Sequence, residues 1–255
     1  MFRRQAGIWP TPTYVKGNGS QESADALEAA FASASPYSTI IISGRFEFED
    51  LVPIGSPDHL GGPVRVVGDG PAEIVLWGLP SVIPPGVTVF LESLSMEMKK
   101  DHDPSLDESE YTRGYPTCCI GGVLMAENVK LNCQMREALN LIQHPKLADL
   151  SDSPSHKCMA FLKGCTLSSW DHNTESTYGI GVIAESCTTL AMYDCLVQGT
   201  LYGVSAGIDG PELKERNTFQ DIAMEDILEL DNDQLSGQIV QPWRDAWVHR
   251  PILGD

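Results

Sequence analysis

The chain has 255 residues, of which 35 are acidic and 17 are basic, so its net charge is -18. A surface this acidic repels phosphate backbones and anionic lipids, which argues against nucleic acids and negatively charged membranes as partners. Because 42% of the residues are hydrophobic, a disordered chain is excluded and a buried core is expected. The 23 glycines and 17 prolines favour many turns and short strands over long helices.

The termini and the cysteines indicate where the protein functions. Residues 1–10 lack the apolar run of a signal peptide, and no stretch approaches the about 18 apolar residues of a membrane helix. The seven cysteines are odd in number and form no CxxC pair, which indicates neither a disulfide framework nor a zinc site. We therefore expect an intracellular protein of a reducing compartment, without metal or cofactor. A place in a larger assembly such as a virion fits these features.

The first predicted element in chain order is an amphipathic helix over residues 21–34. Its apolar residues, among them Leu27 and Phe31, recur at helical spacing. Ser20 or Ser23 can serve as the N-cap, and a proline two residues past the end stops the helix. We expect this helix to cover the first coil of the repeat that follows, because an uncovered strand edge promotes aggregation.

A dipeptide pattern then recurs where one short apolar strand ends and the next begins. It stands at seven places that are about 22 to 36 residues apart, and the two longest intervals contain polar insertions near 101–116 and 136–156. Apolar and polar residues alternate in a second strand after most of these places, for example in Leu190-Ala191-Met192 after the dipeptide at 185–186, as they do in strands with one buried side. The pattern predicts an all-β solenoid of stacked coils. The dipeptides are Ser43-Gly44, Asp69-Gly70, Glu92-Ser93, Glu127-Asn128, Lys163-Gly164, Glu185-Ser186 and Asp209-Gly210.

Two features are predicted after the last repeat. Apolar residues from Phe219 to Leu228 are spaced as in a short amphipathic helix. The irregular tail that follows contains Trp243 and Trp247. We weigh two interpretations equally: these tryptophans cover the last coil, or they bind another subunit, because tryptophan is common at interface hot spots.

The opening of the chain resembles a known superfamily. Residues 14–20, the helix after them and residues 39–46 look like the start of right-handed parallel β-helix proteins of the pectate-lyase-like superfamily. Residues 179–204 are similar to that superfamily's later coils, and the resemblance covers about residues 14–222. It implies a right-handed, single-stranded parallel β-helix. It implies no one activity, because the superfamily includes lyases, hydrolases, viral spikes and non-catalytic binders.

These elements divide the chain into three predicted parts. Residues 1–38 form an N-terminal arm and capping helix. Residues 39–222 form the parallel β-helix with its two insertions. Residues 223–255 form a mostly irregular capping or docking tail. A doubly wound α/β fold is the alternative, and it would need amphipathic helices between the strands that the sequence does not show.

The best catalytic candidate is the loop Trp170-Asp171-His172-Asn173. If neighbouring coils stack in register, Asp171 and His172 come near Asp194. A pair of carboxylates can act as acid and base on a glycosidic bond, and the resemblance implies such acids on outward strand faces of the hydrolases. The sequence shows no tight cluster of carboxylates, so a solvated turn is the alternative.

Other motifs have simpler structural interpretations. The string from Gly203 to Gly207 matches a nucleophile elbow, but a turn rather than a helix follows it, so we favour a strand that contains glycines. Lys163 and Lys214 are candidate lyase bases that nothing singles out. The acidic segment 101–110 lacks the spacing of a calcium-binding loop and is predicted to be a flexible insertion. The candidate metal ligands without paired spacing are Cys118, Cys119, His156 and Cys158.

We therefore predict a non-catalytic β-helix protein that binds macromolecules or acts as a structural or assembly component. The expected partner is another protein or a second copy of the chain, and carbohydrate is the alternative ligand. The alternative function is a carbohydrate-active hydrolase or lyase that uses the loop acids near Asp171 and Asp194. The absence of a convergent catalytic cluster in the sequence favours binding over catalysis.

Overall fold

The computed structural model describes residues 10–55, 62–77, 79–99, 116–134, 137–141, 158–171, 176–177, 179–184, 188–206 and 216–229. Within these residues the protein is dominated by β-strands and has one helix. The elements in chain order are β1 (Thr13–Asn18), α1 (Gln21–Ala32), β2 (Thr39–Phe48), β3 (Val52–Pro53), β4 (Val64–Trp77), β5 (Ser81–Ile83), β6 (Thr88–Glu92), β7 (Ser95–Lys99), β8 (Cys118–Ile120), β9 (Val123–Glu127), β10 (Lys130–Cys133), β11 (Leu139–Leu141), β12 (Met159–Lys163), β13 (Thr166–Ser168), β14 (Trp170–Asp171), β15 (Ser176–Thr177), β16 (Ile180–Ala184), β17 (Thr189–Tyr193), β18 (Leu196–Gln198), β19 (Tyr202–Ala206), β20 (Thr218–Gln220) and β21 (Glu225–Glu229).

The N-terminal helix is confirmed as α1. Ser20 is its N-cap, and the Ser20 hydroxyl accepts the backbone N–H of Ser23 at 3.3 Å. Leu27 and Phe31 are fully buried and belong to the main core. The helix ends at Ala32, two residues before the predicted end. It packs against β1, β2 and β3 and thereby covers the first part of the core.

Two parallel sheets contain almost all of the described strands. In the larger sheet, β4 pairs through its first half with β6 and through its second half with β7. From β4 the sheet continues through β6, β9, β12 and β17 on one side and through β7, β10, β13, β18 and β20 on the other. The second sheet has the order β3, β5, β8, β11, β16, β19 and β21. Every pairing within these two sheets is parallel.

The chain visits three strand positions in a fixed order. It passes through β6, β7 and β8, then through β9, β10 and β11, and later through β12, β13 and β16. Each strand pairs with its counterpart from the previous round, so that Thr88, Val123, Met159 and Thr189 lie in one row. The predicted parallel, strand-dominated architecture is thus present in the structure.

Left-handed bends separate the first two strand positions. Ser93 and Asn128 lie between consecutive strands, and their backbone N–H groups donate to carbonyls of the next round at 3.0 and 2.9 Å. Polar residues and glycine adopt this conformation at the lowest cost. Five of the seven predicted dipeptides contain such a bend, and the two at 185–186 and 209–210 lie outside the described residues. Within these five dipeptides, the residues with a left-handed backbone are Gly44, Gly70, Ser93, Asn128 and Gly164.

The position of the repeat near residue 190 was predicted wrongly. We expected Leu190 to Met192 to follow a bend, but they lie in β17, which pairs with β12 and precedes the bend. The bend is at Asp194, with φ 53°, and it stands beside Gly164. The error arises because consecutive short strands show the same alternating pattern, which does not reveal the order of two neighbouring strands.

The predicted helix from Phe219 to Leu228 is also wrong. This segment forms β20 and β21, which pair with β18 and β19. Phe219, Ile222 and Ile227 pack against the main core as partly buried side chains. The open edges of the preceding strands offer backbone hydrogen bonds in register, and this tertiary context outweighs the helical spacing of the apolar residues.

The six cysteines of the described residues are buried, and none of them is in a disulfide bond. They serve as small apolar side chains on or beside the strands. Cys187 lies outside the described residues. Within the described part of the chain, no helix has the length and apolar character that crossing a membrane requires.

Candidate functional site

The outward side of β6, β9, β12 and β17 is largely apolar, with Thr88 and Thr189 at its edges. Its central row is Phe90, Met125, Phe161 and Ala191, which are partners in register and are each half-buried. The alternate residues of the same strands point into the core and are buried. We call the outward surface the apolar face, and its members are Phe90, Val123, Met125, Met159, Phe161 and Ala191.

Two ion pairs border the apolar face. The Arg65 guanidinium binds both carboxylate oxygens of Glu92 at 2.7 and 2.6 Å. The Lys163 ammonium donates to Glu127 at 2.9 Å. Glu92 raises the pKa of Arg65, and Glu127 raises that of Lys163, because each carboxylate stabilises the charged form of its partner. The two ion pairs therefore place both signs of charge along the border, and Asp194 also acts on Lys163.

The neighbouring outward face, formed by β7, β10, β13, β18 and β20, is polar. The Asn132 side-chain amide donates to Glu97 at 3.2 Å, and the Ser168 hydroxyl donates to Asn132 at 2.9 Å. Gln198 and Gln220 continue the same row on the next two strands. We call this surface the polar face. The two outward faces therefore differ in chemistry although the same repeat builds both.

A cluster of charged side chains surrounds Trp77 at the N-terminal end of the polar face. The Arg45 guanidinium donates to Glu47 at 2.6 Å and to Glu73 at 2.9 Å. The Trp77 indole N–H donates to Glu47 at 3.2 Å, and the Lys99 ammonium lies 5.6 Å from the centre of the Trp77 ring. The hydrogen bond from Arg45 lowers the pKa of Glu47. An ionised carboxylate has no proton to donate, so Glu47 does not fit the role of a general acid.

The Arg45–Glu47 pair makes stability depend on pH. Because the pKa of Glu47 in the folded state lies below its ordinary value of 4.5, its contribution is present above pH 4.5 and is lost as the pH falls through the lower value. The pair is about one third exposed, so we expect at most about 1 kcal/mol. Urea unfolding from pH 6 to pH 3 should show a smaller loss of stability in Glu47→Gln than in the unaltered chain. An identical loss in both would contradict this assignment.

Asp171 and Asp194, two of the three predicted catalytic candidates, lie at different places in the described fold. Asp194 lies at the bend before β18, whereas Asp171 lies in β14, beyond the end of β13. Because β13 and β18 pair in register, Asp171 and Asp194 are at opposite ends of this strand pair. His172, Trp243 and Trp247 lie outside the described residues.

Two of the other candidate catalytic residues, Ser205 and Lys163, lie within the described part of the chain. Ser205 is fully buried in the interior of β19, which is paired on both sides, so the strand interpretation of the glycine-containing string is confirmed. The raised pKa of Lys163 is the opposite of what a lyase base requires. Lys214, His156 and the segment 101–110 lie outside the described residues. Among the described residues, no group of three or more potential ligand side chains is arranged to hold a metal ion.

The apolar face was missed by the sequence analysis. The sequence feature that indicates this face is an unbroken run of apolar residues at the start of β9 and of β12. The runs extend from Val123 to Ala126 and from Met159 to Leu162, and they place apolar side chains on both sides of each strand. No protein-family model, curated protein or solved structure matches the chain.

Proposed function

We propose that the chain is a right-handed parallel β-helix that binds other macromolecules without catalysis, and that its partner is a second copy of itself. The fixed order of three strand positions supports the β-helix, and crossovers between parallel strands are right-handed in about 98% of cases. The proposed β-helix comprises residues 39–222. Strand β20, which pairs with β18, lies at the end of this range, and β21, which pairs with β19, continues the stack into the predicted tail.

The observation that supports binding is the apolar face. Phe90, Met125 and Phe161 contribute nothing to the inner core, because they lie on the opposite side of their strands. Contiguous apolar surface on the outside of a protein marks interaction sites. The methionines add adaptability, since their unbranched side chains fit irregular surfaces.

The border of the face supports a second copy as the partner. A two-fold interface brings the same patch together with itself, so the patch must be complementary to itself. The pairs Arg65–Glu92 and Glu127–Lys163 provide both signs of charge along the border. Each of these ion pairs is neutral in itself, while the net charge of -18 repels the two copies at longer range.

Salt should therefore strengthen self-association. Between about 0.01 M and about 1 M salt the Debye length falls from about 30 to about 3 Å, which removes the long-range repulsion and leaves the apolar contact. In sedimentation velocity experiments, we expect monomers at low salt and dimers at high salt. A monomer at all salt concentrations, or association that weakens with salt, would contradict the proposal.

The alternative, a carbohydrate-active hydrolase or lyase, has a separate test. The chain is incubated with a panel of polysaccharides, and turnover is measured by the release of reducing ends and by the absorbance of unsaturated products. Activity that is lost in Asp171→Ala or Asp194→Ala would overturn the non-catalytic proposal.

A further inference from the structure

Two cysteines stand side by side in the interior of the protein. Cys165 and Cys195 each follow a left-handed bend residue and directly precede β13 and β18. The backbone N–H of Leu196 donates to the carbonyl of Cys165 at 2.8 Å, which places the two cysteines at matching positions of neighbouring strands. Such neighbours are about 4.8 Å apart, within the Cα separation of about 4.4 to 6.8 Å that disulfides span.

The two sulfur atoms share one type of contact. The Cys165 sulfur lies 3.5 Å from the carbonyl oxygen of Lys163, and the Cys195 sulfur lies 3.4 Å from that of Tyr193. Each sulfur thus sits against the carbonyl two residues before it. The Cys165 thiol also donates to the carbonyl oxygen of Ala126, in the preceding round, at 3.5 Å. Both cysteines belong to the same buried core, so the two thiols are neighbours in register on the inner side of the sheet.

Cysteines occupy this position of the repeat only in the two rounds that contain Cys165 and Cys195, among the described rounds. In the preceding rounds the same position is occupied by Leu94 and Val129, which are buried and apolar. In the following round, the neighbour of Cys195 is Asn217. The Asn217 side chain accepts the backbone N–H of Cys195 at 3.0 Å and donates to the carbonyl of Met192 at 3.1 Å. Asn217 is half-buried, so solvent reaches the position next to Cys195.

The two thiols differ in reactivity. The neighbouring Cys165 thiol lowers the pKa of Cys195, because it stabilises the thiolate. The proximity of Cys195, and after it burial, raise the pKa of Cys165. The thiolate is the nucleophile in cysteine oxidation, so Cys195 is the residue that reacts first.

We propose that Cys165 and Cys195 form a modification site that a hydroperoxide converts into a disulfide between two successive rounds of the fold. The Cys195 thiolate attacks the terminal peroxide oxygen, the O–O bond breaks, and a sulfenic acid forms while the rest of the hydroperoxide leaves as an alkoxide, or as hydroxide from hydrogen peroxide. The Cys165 sulfur then attacks the sulfenic sulfur, and its proton leaves with the hydroxyl group as water. The two cysteines lose two electrons in total, and these reduce the peroxide.

The test is peptide mapping of the full chain after treatment with hydrogen peroxide under native conditions. We expect a cross-linked peptide that contains Cys165 and Cys195 and is two hydrogens lighter than the two reduced peptides together. Thiol titration after unfolding should show the loss of two of the seven thiols. Cys133→Ser should retain the cross-link, because Met98 and not a cysteine pairs with Cys133. Cys195→Ser should leave Cys165 as a free thiol.

Met224 provides an internal control for this test, because it is 62% exposed and accessible to the oxidant. Oxidised Met224 without any Cys165–Cys195 cross-link would overturn the proposal. A cross-link that forms only in urea would overturn it as well, since the pairing would then belong to the unfolded chain.

Discussion

Gly44→Ala is expected to destabilise the protein by about 4 kcal/mol or more, whereas Gly70→Ala costs only about 1 to 2 kcal/mol. Both glycines have a left-handed backbone, with φ 84° and 74°. A Cβ atom at residue 44 would lie 2.1 Å from the carbonyl oxygen of Gly17 on β1, while one at residue 70 would have no neighbour within 4 Å. Alanine at residue 44 therefore adds a backbone collision to the conformational strain that both variants share.

Urea unfolding followed by circular dichroism measures both free energies. Gly17→Ala tests the same contact from the other strand, because a Cβ atom at residue 17 would lie 2.3 Å from the carbonyl oxygen of Arg45. Gly17 does not have a left-handed backbone, so this variant suffers the collision without the conformational strain. We expect it to be nearly as damaging as Gly44→Ala. Equal, mild losses in Gly44→Ala and Gly70→Ala would show that β1 and β2 are not in such close contact.

Phe161→Glu is expected to weaken self-association at least about 30-fold, which corresponds to the about 2 kcal/mol of an interface hot spot. The substitution places a charge at the centre of the apolar face, where association would remove it from water without a partner. Gln198→Glu adds the same charge to the polar face and is nearly isosteric, so it serves as the matched control. Sedimentation equilibrium in high salt measures the dissociation constant of each variant.

Two further measurements separate this effect from a folding defect. The side chain of Phe161 points away from the core, so thermal unfolding should show that the Phe161→Glu monomer stays folded. Met125→Glu should weaken association in the same way, because Met125 pairs with Phe161 in the central row. Equal weakening by Gln198→Glu would mean that overall charge, and not the apolar face, controls association.

Much of the fold follows from local features of the sequence. Residues such as Ser93, Asn128 and Gly164 tolerate the left-handed conformation and interrupt the alternation of apolar residues, so the bends could be predicted. The errors at Leu190 and at Phe219 occur where two structures share one local pattern. Only the pairing with earlier strands decides between them, and that pairing is not local.

The candidate site could not be predicted for a related reason. Phe90, Met125 and Phe161 are far apart in the chain and become one row only when three rounds stack in register. Cys165 and Cys195 become neighbours in the same way. An unbroken apolar run indicates that both sides of a strand are apolar, but it does not tell which partner covers the outer side.

Oxidative footprinting of the methionines tests the apolar interface most directly. Met125 and Met159 lie on the apolar face, and the exposed Met224 lies outside it and serves as the reference. In high salt, we predict that mass spectrometry will find Met125 and Met159 oxidised in dilute protein and protected in concentrated protein, with Met224 oxidised equally in both. Oxidation of Met125 and Met159 that does not change with protein concentration would contradict the proposal that two copies associate through this face.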